Sequence, residues 1–124
     1  MRRTIIAVDF DGTICHNNFP NIGEFYENCS NVINRLQSKG IIVILNTCRC
    51  DKLLEQALTA CSNNGIIFDA VNENYSKLPF KTSNKIYADY YIDDKALIYN
   101  NKIDWLYFED FILKNIKTDK FIII

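Results

Sequence analysis

Three polar clusters carry the side chains able to do chemistry, and each closes a mostly apolar run. Residues 4–8 lead into Asp9-Phe10-Asp11-Gly12-Thr13, residues 41–45 into Asn46-Thr47-Cys48-Arg49, and residues 88–92 into Asp93-Asp94. Carboxylates at the ends of buried strands repel one another and resist desolvation. A hard divalent cation reconciles them, and Mg²⁺ typically takes one or two carboxylates together with substrate phosphate oxygens. Side chains alternate along a strand, so Asp9 and Asp11 are expected to lean the same way, with Phe10 pointing elsewhere. Gly12 permits a sharp backbone departure. Thr13 adds a hydroxyl and a backbone N–H. The Thr47 hydroxyl can donate to a phosphoryl oxygen. The planar fork of Arg49 suits bidentate contact with phosphate, against the plainer role of a surface ion pair. Cys48 and Cys50 flank Arg49 and read as packing residues, because a thiol nucleophile wants a histidine partner and none is near in sequence.

The elements that must position these groups follow from periodicity. Residues 4–8 and 41–45 are mostly apolar and β-branched, the pattern of strands buried on both faces. Residues 66–71 and 88–92 read as two more strands. Phe25, Cys29, Val32, Ile33 and Leu36 form a helical stripe within 24–39, which Gly40 stops. Asp51 is expected to cap a second helix with Leu54, Ala57, Leu58 and Cys61 on its apolar face, ended by Asn63-Asn64-Gly65. Residues 104–116 suggest a third helix, with Trp105, Phe108, Phe111 and Ile112 on one side. Residues 14–23, 72–85 and 95–103 read as loops, and 121–124 as a short last strand. His16, the only histidine, lies in the first loop. It reads as solvent-exposed, with substrate contact or proton shuttling as the alternative. Strands alternating with helices imply βαβ units and a parallel sheet. Ligands of such sheets sit beyond the carboxyl ends of the strands, which is where all three polar clusters fall.

Composition narrows the classes. A chain of 124 residues holds one domain with a real core and not two. A net charge of −1 gives no basic excess to announce nucleic acid, although a local patch stays open. The apolar runs are too short to span a bilayer. Met1-Arg2-Arg3 passes directly into a strand, so no signal peptide is expected. The five cysteines lack a paired C-x-x-C spacing, and free thiols in a reducing cytosol are the expected state.

The apolar strand followed by Asp-x-Asp-Gly-Thr resembles the first motif of the haloacid dehalogenase superfamily. Thr47 is similar to the second motif, and Tyr91-Ile92-Asp93-Asp94 resembles the fourth. The resemblance covers nearly the whole chain, 1–124, as a single Rossmann-like three-layer α/β core with a mostly parallel central sheet. It implies a Mg²⁺-dependent phosphatase, with Asp9 as aspartyl nucleophile. Asp11 is then the general acid/base and offers its backbone carbonyl to the metal. Asp93 and Asp94 are metal ligands, with Asp94 direct by alignment of the strand. Gly12, Thr13, Thr47, Cys48 and Arg49 make up the implied phosphate-binding set. The family's third motif is a lysine. Lys77 is preferred because it follows the third strand on the correct edge, then Lys81. Lys85 falls at the start of the last strand, roughly 25 Å from that strand's end at about 3.3 Å per residue.

The segments between the motifs are too short for a cap domain, which implies an open site. Such a site suits a bulky phosphorylated substrate, or a lid from another subunit in a homo-oligomer. Thr47-x-Arg49 is also similar to the Ser-x-Arg of polynucleotide 3′-phosphatase domains, which makes a polynucleotide phosphatase or nucleotidase the narrower alternative. A receiver-like phospho-aspartate module is a different class. Receivers place the phosphorylated aspartate after the third strand, where this chain has Asn72-Glu73-Asn74. A catalytically idle binding core is the remaining alternative.

Overall fold

The structure is a computed structural model that describes residues 2–96 and 102–116. The expected strand at 121–124 and much of the loop at 95–103 lie outside the described residues. Four strands form one sheet: β1 (Ile5–Val8), β2 (Ile42–Leu45), β3 (Ala70–Val71) and β4 (Tyr90–Ile92). All pairings are parallel, and the order is β3-β2-β1-β4. The helices are α1 (Cys29–Ser38), α2 (Asp51–Asn63) and α3 (Trp105–Lys114). This is the small Rossmann-like α/β sandwich expected. Its order matches the 3-2-1-4 arrangement of doubly wound sheets, so the order reverses between β1 and β4.

Alternation along β1 and β2 splits the core in two. Ile6, Val8 and Phe10 of the β1 run and Val43 and Leu45 of β2 pack against all three helices, through Val32, Ile33 and Leu36, Ala57 and Cys61, and Trp105 and Ile112. Ile5, Ala7, Ile42 and Ile44 face the other way. That face is covered by Tyr75, Leu78, Ile86 and Tyr87 of the β3–β4 crossover, which forms no helix. The third layer is therefore irregular chain. Pro79 and the absence of a helical period account for this.

Three boundaries differ from the periodic reading. First, α1 begins at Cys29, behind Asn28 in a left-handed conformation at φ 70°, and residues 24–26 belong to a hairpin. Phe25 bridges Cys15 in antiparallel fashion, the His16 N–H donates to the Glu24 carbonyl at 2.7 Å, and the Tyr26 N–H to Ile14 at 2.9 Å. Phe25 kept its apolar character by packing edge-on to Phe10, which mimicked one more helical position. Second, β3 pairs only at Ala70 and Val71. The Asp69 carboxylate accepts from the Val43 N–H at 2.8 Å and so takes the place of an earlier backbone rung. Third, Asp51 does not cap α2. It is the first helical residue, with φ 51°, and Cys50 precedes it without a side-chain cap bond.

Candidate active site

The carboxyl ends of β1, β2 and β4 open into a cleft of about 420 Å³. Asp9, Asp11, Asn46, Thr47, Cys48, Arg49, Asp93 and Lys95 line it, with Asn17 and Phe19 of the hairpin loop. The cleft stands at the point where strand order reverses, the usual ligand position in open α/β sheets. Asp9 continues β1, its N–H donating to the Ile92 carbonyl at 3.0 Å, and this rung brings it beside Asp93 and Asp94. Carboxylate oxygens of Asp9, Asp93 and Asp94 lie within 4.8 Å of one another. Burial pushes the Asp9 carboxyl up to about 7. The Phe10 backbone hydrogen bond opposes the rise, while Asp93 and Asp94 add to it.

These three carboxylates fit a hard divalent cation. They are all-oxygen donors gathered against their own repulsion, and Asp94 Oδ1 is buried with no hydrogen-bond partner. The chain holds Asp94 firmly. Its N–H donates to Thr13 Oγ1 at 3.1 Å, and its carboxylate lies over Gly12. A Cβ on Gly12, where φ is +83°, would fall 2.2 Å from Asp94 Oδ2.

Asp11 is not part of this group. The chain leaves the strand at Phe10, whose carbonyl accepts from the N–H groups of Thr13 and Ile14. The strand alternation therefore no longer applies at Asp11. Its carboxylate turns to Arg49, taking Nε on Oδ2 and Nη2 on Oδ1, both at 2.8 Å. The expectation that Asp11 leans with Asp9 is corrected by that turn.

The phosphate-binding expectations also change. Arg49 is only 2% exposed. Besides Asp11, its Nη1 donates to the carbonyls of Pro20 and Leu53, and its Nη2 to that of Asn21. These contacts use all five N–H groups of a guanidinium, leaving none for a phosphate. Thr13 is fully buried. Its N–H donates to Phe10 and that of Gly12 to Cys15 at 2.8 Å, so both shape the turn. Thr47 does face the cleft. Its N–H is held by Asn72 Oδ1 at 2.8 Å, and its Oγ1 accepts from the Arg49 N–H at 3.1 Å, which leaves the hydroxyl proton to donate. The thiols of Cys48 and Cys50 are exposed, not packed as expected.

Lys77, Lys81 and Lys85 are all exposed, and none lines the cleft; Lys85 sits over the Tyr91 ring. The cationic group that lines the cleft beside Arg49 is Lys95, with Nζ 3.8 Å from Asp94 Oδ2. Its signal was its place directly after the acidic pair. Asn72 was equally missed. Its left-handed backbone (φ 53°) is the kind asparagine tolerates. His16 stacks on Tyr26 with ring centroids 4.0 Å apart and is exposed, outside the cleft lining.

Fold and cleft together define a small parallel α/β domain with an acidic, cation-competent site at its topological switch point. A solved structure of a conserved protein coded by a locus of Bacteroides thetaiotaomicron is similar to this chain at 33% identity, with a TM-score of 0.80 and 94% of each chain covered. At that identity over nearly the full length, the chain belongs to the family of that conserved protein. No protein-family model matches the chain, and no curated protein matches it. Among the described residues no helix is long and apolar enough to cross a membrane.

Proposed function

We propose that this protein is a Mg²⁺-dependent phosphohydrolase of the haloacid dehalogenase superfamily, cleaving a phosphomonoester through an aspartyl-phosphate on Asp9. The observation that carries this reading is the convergence of Asp9, Asp93 and Asp94 at one point of the cleft, with an unpartnered Asp94 oxygen among them. Asp9, Asp93 and Asp94 would hold the cation. When bound, Mg²⁺ offsets the repulsion between a carboxylate nucleophile and an anionic phosphoryl group.

The chain's own groups do the rest. Asp9 attacks phosphorus, and the bond to the leaving oxygen breaks. Asp11, on the cleft wall, gives a proton to that oxygen and later takes one from the water that hydrolyses the acyl phosphate. The Thr47 hydroxyl and the Lys95 ammonium stabilise the charge on the transferring group. Lys95 takes the part first given to Lys77. The strand order speaks against a receiver-like module, because receivers of the flavodoxin-like kind use the order 2-1-3-4-5. The polynucleotide-phosphatase alternative leans on Arg49 as a phosphate ligand, and the engaged guanidinium removes that support.

The test is steady-state hydrolysis of p-nitrophenyl phosphate, phosphorylated metabolites, nucleotides and 3′-phosphorylated oligonucleotides, with Mg²⁺ and with EDTA. Asp9→Asn is expected to abolish Mg²⁺-dependent turnover while the protein stays folded. Near wild-type turnover in folded Asp9→Asn, or indifference to EDTA, overturns the reading.

A further inference from the structure

We infer that Arg49 is a positioning residue: it fixes the Asp11 carboxylate and the tip of the hairpin loop as one unit on the cleft wall. This rests on the phosphohydrolase reading above. The fork of Arg49 meets Asp11 through two parallel bonds of 2.8 Å, the geometry that adds orientation to attraction. The Arg49 side chain is 1% exposed and that of Asp11 17%, so solvent does little to loosen the pair. The same guanidinium binds the loop carbonyls of Pro20 and Asn21 and the Leu53 carbonyl in α2. It also lies between two rings, 5.1 Å from the centroids of Phe10 and of Phe19, each a favourable seat for a cation.

Each Asp11 oxygen takes one bond from the fork and keeps a second lone pair. That second site can carry the proton given to the leaving oxygen, and once emptied can take one from the attacking water, without Asp11 leaving Arg49. A group that must exchange a proton at a defined oxygen needs such fixed direction. The loop carries Phe19 and Asn17 on the cleft rim, so the fork also sets the rim's distance from the proton-transfer group.

The leaving group makes this visible. p-Nitrophenolate departs without proton assistance, whereas an alkoxide does not. General acid–base assistance contributes roughly 10²–10⁴-fold. kcat/KM is measured for p-nitrophenyl phosphate and for β-glycerophosphate with Mg²⁺, in the wild type, Arg49→Lys, Arg49→Ala and Asp11→Asn. Inhibition by inorganic phosphate is measured alongside. Arg49→Lys keeps the charge and loses the fork. It is expected to lower kcat/KM for β-glycerophosphate by about 30-fold or more, a substantial part of what such assistance supplies, with p-nitrophenyl phosphate far less affected and phosphate inhibition unchanged. Asp11→Asn should give the same pattern, and Arg49→Lys added to it should cost little more. Should Arg49→Ala fail to fold, Arg49→Lys and Asp11→Asn carry the comparison.

Weakened phosphate inhibition with equal loss on both esters overturns the inference and returns Arg49 to the phosphate. Equal loss on both esters with phosphate inhibition intact and a lowered Tm makes Arg49 merely structural. Turnover by the wild type of neither ester, nor of any other phosphomonoester in the panel above, overturns the parent reading and this role with it.

Discussion

At the residue scale, two adjacent carboxylates of one motif have different surroundings. The Asp93 Oδ1 accepts from the Lys95 N–H at 2.9 Å. The Asp94 Oδ1 is buried and accepts from nothing, and its carboxylate is pressed against Gly12. A bound cation would satisfy the Asp94 oxygen, whereas Asp93 already has a partner. Removing an interaction that a buried group lacks elsewhere costs more than removing one of several. Asp94→Ala is therefore expected to weaken Mg²⁺ binding at least about tenfold, equivalent to roughly 1.4 kcal/mol, and Asp93→Ala less. Isothermal titration of the two variants checks this, and the reverse order would give the leading ligand role to Asp93.

At the scale of elements, the hairpin from Ile14 to Tyr26 is what the helical reading of residues 24–39 obscured. Its arms meet where Gly23 passes the backbone of His16. A Cβ at Gly23 would lie 1.8 Å from the His16 carbonyl oxygen, and no flexible side chain is there to yield. Overpacking of this kind costs typically about 1–3 kcal/mol. The loop carbonyls held by Arg49 come from Pro20 and Asn21, inside this hairpin. Gly23→Ala should therefore lower Tm and also lower kcat, because the clash displaces the loop that Arg49 ties to Asp11. Thermal unfolding and kinetics on one preparation settle it; a normal kcat in a destabilised variant would separate the hairpin from the site.

For the whole molecule, the two ends of the sheet have separate duties. The carboxyl end holds the acidic cleft. At the opposite end Asp89 accepts from the Ile5 N–H at 2.9 Å and from Arg2 Nη1 at 2.7 Å, joining the start of β1 to the approach to β4. The Asp89 side chain is 2% exposed and that of Arg2 9%, so the pair is buried. Removing one partner of a buried pair costs about 3–5 kcal/mol. Asp89→Ala is expected to lower Tm by many degrees while the surviving folded protein keeps its kcat. A large fall in kcat at a temperature where the variant remains folded would show that the ends are coupled.

The parallel α/β class, the four strand sites and the convergence of Asp9, Thr47 and Asp93-Asp94 were legible in the sequence. They rest on local periodicity and on the rule that ligands gather at the carboxyl ends of parallel strands. Tertiary structure decided the rest, because it depends on contacts between residues far apart in the chain. The period of a strand says nothing of Asp11 once the backbone turns at Phe10, so its partner, Arg49, 38 residues away, could not be read from spacing. Thr-x-Arg showed a guanidinium near the cleft but not that Asp11 and three carbonyls would consume its donors. Lysines at 77, 81 and 85 were ranked by chain position, while the cleft is lined by Lys95, carried there by β4 lying beside β1. Local sequence determined which groups reach the end of the sheet. Only the packing of loop, helix and neighbouring strand decided which of them touch.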